Sequence, residues 1–231
     1  MQLSKRLNGI VSFIEKKDKV ADIGTDHGFV PTFLVNNNIS DYVVSSDISE
    51  NSLLKSIELT KEYSNEDKII NRVGPGLEVL SVGEVDTAII AGMGGLLISD
   101  IIKDSFEISK NLKKLILQPM QAQSELRKFL YKNGFKITDE MIVFEEKKYF
   151  EIIETHYVGQ CSISDEIFYE IPEIPYKRKD EIVKNYLENR INYTGYIIDN
   201  LNKSKDRGKV LLKINELEIF IKKCRELLNG V

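Results

Sequence analysis

The feature that most limits how this chain can fold is an alternation, over its first two thirds, of short apolar runs with segments of helical spacing. The runs occupy residues 20–24, 42–47, 69–73, 85–90 and 115–118, and each interval between them is long enough for a helix. Antiparallel neighbours need only a tight turn, whereas parallel strands need a crossover, so the pattern predicts a parallel sheet with helices on its faces. Ahead of the first run, Leu3, Leu7, Ile10 and Ile14 recur at helical steps and share one face. Residues 135–158 hold two further runs separated by a short charged turn, which predicts a hairpin with one strand antiparallel to the rest.

The pattern changes near Gly159 and Gln160, and two domains are expected, 1–160 and 161–231. In the second, Val210, Ile214, Leu217, Ile221, Cys224 and Leu228 form an unbroken heptad seam. Leu187, Ile191, Thr194, Ile198 and Leu201 form another upstream, with Thr194 its weak member. Two such helices predict an antiparallel coiled-coil hairpin rather than a second catalytic fold.

A chain of 231 residues, 42% of them hydrophobic, buries enough surface to exclude a disordered or fibrous protein. The net charge of −4 is too mild to name a partner, so any nucleic-acid contact must be local. Cys161 and Cys224 lie far apart, without a CxxC pair or a histidine cluster, so neither a disulfide framework nor a metal site is expected. No window approaches the ~18 apolar residues of a membrane span. A cytoplasmic, monomeric protein is the simplest expectation.

In open parallel sheets, ligands bind beyond the carboxyl ends of the strands, so the residues just after each run matter most. The first is followed by a turn holding Asp22, Gly24, Asp26, His27 and Gly28, in which Gly24 lets backbone approach a ligand. This is not the dinucleotide fingerprint: a carboxylate stands where the second glycine belongs, and it would repel a pyrophosphate. Asp47 ends the second run 23 residues after Gly24, the separation at which an acidic group meets ribose hydroxyls. Gly74, Pro75 and Gly76 follow the third run, and Ala91, Gly92, Met93, Gly94 and Gly95 follow the fourth. Three carboxylates around a glycine-rich crevice suit a cationic, adenosine-containing ligand, and S-adenosylmethionine fits that description.

With these residues in view, residues 3–159 resemble the bacterial tRNA adenine-N1 methyltransferases that modify position 22. The matching features are Ser4 with Arg6 and Leu7, the stretch 21–31, Gly76-Leu77-Glu78, the stretch 83–95, and Leu117-Gln118-Pro119. The resemblance implies a Rossmann-like, seven-stranded methyltransferase domain, S-adenosylmethionine as donor, tRNA as acceptor and a C-terminal helical coiled-coil domain. It places Asp22 and Gly24 at the methionine part, Asp47 at the ribose, Gly74 and Gly76 at adenine, and Ala91 and Gly92 beside the cofactor. Pro75 stands where relatives usually carry Asp or Asn, which leaves only the Gly76 amide for the adenine edge; Phe29 replaces a usual Tyr.

Adenine N1 carries a neutral lone pair, so methylation needs positioning and support for the developing positive charge rather than prior deprotonation. Asp26 is the expected catalytic carboxylate, with His27 positioning or sharing a proton. Phe29 offers a stacking surface, and Met93, Gly94 and Gly95 close around the acceptor base. For the RNA body, residues 201–225 carry eight basic side chains against three acidic ones. Among them, Lys203, Lys205, Arg207 and Lys209 are the expected contacts; Lys5, Arg6, Lys16, Lys17 and Lys19 offer a second patch. The cofactor half of such a site does not identify the acceptor, so rRNA, protein or a small molecule, or an inactive module using its coiled coil, stay open at this point.

Overall fold

The structure, a computed structural model, describes residues 1–25, 27–203 and 207–230, with the backbone only for residues 207–209. It divides into two compact units, Met1–Ser164 and Asp165–Val231, four residues beyond the expected boundary.

The first unit is built on a seven-stranded sheet ordered β3-β2-β1-β4-β5-β7-β6. Its strands are β1 (Val20–Ile23), β2 (Val43–Asp47), β3 (Ile69–Val73), β4 (Thr87–Met93), β5 (Lys114–Pro119), β6 (Phe135–Glu145) and β7 (Lys148–Tyr157). The first five pair in parallel, and β7 runs antiparallel to both β5 and β6, as the hairpin reading expects. The hairpin turns through Glu146 and Lys147, both at positive φ (48° and 63°), the twist that suits a two-residue connection. Crossover helices α2 (Phe29–Asn36), α3 (Glu50–Glu62), α4 (Gly95–Asp104), α5 (Phe106–Ser109) and α6 (Gln123–Lys132) follow α1 (Lys5–Val11).

The central strands are apolar throughout because both faces are covered. Ile89, Ile90, Leu115, Ile116 and Leu117 are wholly buried, each contributing about 1.5–3 kcal/mol relative to exposure. α1 is shorter than its apolar spacing suggests, but Leu3, Ile10 and Ile14 are buried in the core with Ile116 and Ile152. It packs on the β6–β7 hairpin, where a Cβ at Gly9 would lie 2.7 Å from the Ile152 side chain. At its start Ser4 accepts the Leu7 amide, and Glu145 receives the Ser4 hydroxyl and the Lys5 and Arg6 amides at 3.1–3.2 Å.

One expectation is corrected here. Residues 91–95 do not all follow the fourth strand: β4 continues to Met93, pairing with Pro119, and its register shifts between Ala91 and Met93. Gly92 adopts φ 77°, which makes the bulge possible, and the turn into α4 begins only at Gly94.

The second unit contains α7 (Glu173–Arg178), α8 (Ile182–Leu201) and α9 (Arg207–Leu228). α8 and α9 pack against each other, and the Arg190 guanidinium lies 5.2 Å from the Phe220 ring centroid. Leu187, Thr194, Ile214 and Cys224 are buried and the other seam positions half-buried. The weak member, Thr194, is thus as enclosed as its apolar neighbours. No helix among the described residues is long and apolar enough to cross a membrane.

Candidate active site

The parallel strands β1, β4 and β5 finish at one edge of the sheet, where a cleft of about 560 Å³ opens. Several stretches of chain wall it. Asp22, Gly24, Thr25, His27, Phe29, Ala91 and Gly92 come from the ends of β1 and β4 and the turn into α2. Ser4, Arg6, Leu7 and Ile10 come from α1 and its cap, and Glu145, Glu146, Lys148 and Phe150 from the hairpin.

Asp22 brings a buried carboxyl group to the cleft. It is 8% exposed, and no described lysine or arginine pairs with it. Burial pushes its carboxyl up to about 6 from an ordinary 3.8; a hydrogen bond from Thr25 opposes the rise, and the Asp47 carboxylate adds to it. Thr25 itself accepts the Gly28 amide at 3.2 Å, which ties the loop to the start of α2. Gly24 turns the chain at φ 77°, and a Cβ there would lie 2.1 Å from the terminal methyl of Met93. Met93 therefore covers Gly24, although it is not among the residues lining the cleft.

Asp47 ends β2 at the same edge, its carboxylate accepting the Ser49 amide at 2.7 Å and its carbonyl the Gly74 amide at 3.0 Å. Gly76 begins a 3-10 turn just beyond β3. Asp47, Gly74 and Gly76 thus stand at the β2–β3 side, outside the lining of the cleft. Ile48, 74% exposed, adds an apolar face beside them. Gly94 caps α4 beside Gln121, and Gly95 donates to the Gln121 carbonyl at 2.8 Å. A Cβ on Gly95 would sit 2.2 Å from the Ala122 carbonyl oxygen, a packing reason for the glycine that needs no ligand.

His27 and Phe29 stack at the mouth of the cleft, their rings 5.3 Å apart and 1° from parallel. Asp26 and Lys205 lie outside the described residues, as do the side chains of Arg207 and Lys209. Lys203 is exposed in the second unit. Cys161 and Cys224 are free, and burial pushes the Cys224 thiol up to about 11, away from nucleophilic chemistry. Among the described residues no group of three or more His, Cys, Asp or Glu is arranged to hold a metal.

Sequence reasoning missed the cleft's second wall. It put Arg6 in a basic surface patch, whereas the Arg6 guanidinium lies inside the cleft. There it donates to Gln118 Oε1 at 2.6 Å and sits 5.6 Å from the Phe150 ring centroid. Gln118 is wholly buried and donates onward to the Pro119 carbonyl at 3.0 Å. The Leu-Gln-Pro stretch was the available signal: a buried amide at a strand end demands a polar partner.

This sheet order, with a reversed β7 and a carboxylate-lined crevice at the ends of β1 and β4, defines a Rossmann-like methyltransferase fold. The chain belongs to the Methyltransferase domain family, whose profile matches residues 3–153. It is 27% identical over 233 residues to the tRNA (adenine(22)-N(1))-methyltransferase of Bacillus subtilis, covering 99% of this chain and 98% of that protein. The crystal structure of the B. subtilis M1A22 tRNA methyltransferase TrmK superposes with a TM-score of 0.87 at 27% identity, covering 98% and 99% of the two chains. M. capricolum TrmK in complex with S-adenosyl-homocysteine superposes at 0.83 with 25% identity, covering 99% of each chain.

Proposed function

We infer that this protein transfers a methyl group from S-adenosylmethionine to N1 of adenine 22 in tRNA. The observation that carries the reading is a buried carboxylate, Asp22, which pairs with no lysine or arginine among the described residues and lines a cleft in a chain similar end to end to a tRNA (adenine(22)-N(1))-methyltransferase. The donor set fits the cofactor: a carboxylate for an ammonium group, a glycine turn without a Cβ at Gly24, and Asp47 one strand over for ribose hydroxyls. Ala91 and Gly92 would border the methyl group, and Gly74 and Gly76 the adenine. When bound, S-adenosylmethionine supplies an electrophilic methyl group.

The chain's own residues have a limited task. Adenine N1 needs no base before it attacks, so the site must hold the ring in line and support the charge that appears on it. His27 and Phe29 offer a flat, accessible surface on which an extruded base can stack, which suits an adenine whose N1 is hidden while paired. Asp26, assigned from sequence, would face the base edge and stabilise the adeninium charge. Met93 and Gly94 stand outside the lining of the cleft and are assigned to the acceptor base from the sequence. We assign residues 161–231, as an antiparallel coiled coil, to holding the tRNA body through Lys203, Lys205, Arg207 and Lys209. We place the enzyme in the cytoplasm as a monomer.

The test is transfer of tritium from labelled S-adenosylmethionine to tRNA transcripts carrying A22 or G22. N1-methyladenosine in digests of the A22 transcript alone is the expected result. Incorporation into both transcripts, or into protein or rRNA instead, overturns the assignment of the acceptor. Asp26→Asn should lower turnover by at least tenfold while leaving S-adenosylhomocysteine affinity within about twofold; equal losses would assign Asp26 to folding.

A further inference from the structure

We propose that the outer end of the β6–β7 hairpin is an arm that guides tRNA past the cleft, with Phe144 stacking on a base unstacked when the acceptor adenine is extruded and Lys147 holding a neighbouring phosphate; this rests on the methyltransferase reading above. The inference starts from strand register. β7 pairs with β5 as far as Leu117 and Ile153, and β5 ends at Pro119. Counted on in step, Pro119 falls opposite Glu151. The pairs Val143–Phe150, Phe144–Tyr149 and Glu145–Lys148, and the turn at Glu146 and Lys147, therefore stand beyond the end of β5. At ~3.4 Å per residue the arm rises roughly 10 Å over the strand ends where the cleft opens.

A two-stranded ribbon is marginal by itself, and this one is braced on one side. Glu145, Lys148 and Phe150 line the cleft, and Glu145 is tied to the Ser4 hydroxyl and the Lys5 and Arg6 amides. Side chains alternate along a strand, so Phe144 and Tyr149 fall on the other side of the ribbon. Their ring centroids lie 4.7 Å apart at 44°, and Phe144 keeps 45% of its surface exposed. Cross-strand packing explains the contact between the rings; position gives the exposed one a further use. A base enters the cleft only with its sugar and phosphates attached, so the RNA strand beside the acceptor has to run against whatever stands over the opening. Aromatic rings accept unstacked bases of any sequence, and the exposed Lys147 and Lys148 at the tip suit phosphate oxygens. A second copy of the chain fits less well, since two rings offer far less than the ~800 Å² per partner of a stable interface.

The test measures the KM for an A22 tRNA transcript in tritium transfer, and S-adenosylhomocysteine affinity in calorimetry, both on the full chain. Phe144→Leu keeps an apolar neighbour for Tyr149 but removes the ring. It should raise the tRNA KM roughly fivefold to a hundredfold while S-adenosylhomocysteine affinity stays within about twofold, and Phe144→Tyr should restore the wild-type KM. Lys147→Asn, which suits the positive φ of the turn, should lower the salt slope of tRNA affinity by about one, and it decides if Phe144→Leu does not fold. An active enzyme whose tRNA KM and salt slope are unchanged in these variants overturns the arm alone and leaves the ring a packing role. Equal losses of tRNA and S-adenosylhomocysteine affinity overturn it as well, by assigning the hairpin to the shape of the cleft. Wild-type protein that methylates no transcript overturns the methyltransferase reading and the arm together.

Discussion

Asp22→Asn should make the ligand-free protein more stable while it damages the site. In the folded state the Asp22 carboxyl titrates at about 6 rather than 3.8, chiefly because burial penalises its charge. Each unit is worth about 1.36 kcal/mol, so the ionised group costs the native state about 3 kcal/mol at neutral pH. A raised folded value means that the contribution is most favourable below the unfolded pKa and is lost as pH rises through about 6. Asparagine keeps the shape and never ionises. Urea unfolding of ligand-free protein should therefore show the variant ahead by about 2–3 kcal/mol near pH 8, with the gap closing as pH falls through the range from about 6 to 4. Saturating S-adenosylhomocysteine should reverse the order, because only wild type gains binding free energy. A variant no more stable than wild type near pH 8, or a gap that persists unchanged at about pH 4, would refute the claim that Asp22 is an uncompensated buried charge.

Three further outcomes are expected. Asp47→Ala should weaken S-adenosylhomocysteine by about 1.5–3 kcal/mol in calorimetry, through loss of a charged acceptor for ribose hydroxyls; an unchanged dissociation constant removes Asp47 from the site. Arg127→Met should destabilise the first unit by about 3–5 kcal/mol in chemical denaturation. The Arg127 guanidinium lies 2.7 Å from both Glu140 and Glu151, all three nearly inaccessible, and its removal strips two buried carboxylates of their shared cation. Replacing Lys203, Lys205, Arg207 and Lys209 together with alanine should raise the tRNA dissociation constant and flatten its salt dependence while S-adenosylhomocysteine binding stays unchanged; normal tRNA affinity would make the run a solvated helix face.

What could be read from the chain alone follows from which physical signals are local. The strands were legible because β1, β4 and β5 are covered on both faces and so appear as continuous apolar runs. The reversed β7 was legible from the shortness of the turn before it. The glycines at 91–95 were ambiguous, since a bulge and a loop place the same demand on backbone, and only pairing of Met93 with Pro119 separates them. Asp22 and Gly24 were found because they follow a strand directly. Arg6 was assigned elsewhere because the apolar spacing of α1 tells which of its faces is buried, not which end of the sheet that face covers. Its partners, Gln118 and Phe150, are more than a hundred residues away in the chain.

The bond between Ser4 and Glu145 has a consequence for synthesis. The first turn of α1 is capped by a side chain that leaves the ribosome 141 residues later, and the hairpin carrying it also closes one wall of the cleft. A nascent chain that has completed β1 to β5 already displays Asp22 and Gly24, yet it lacks the wall that would retain a small ligand. Capture of the methyl donor is thereby expected only once the hairpin has emerged and docked on the N-terminal helix, a long-range closure open to a chain that has been made as far as Tyr157.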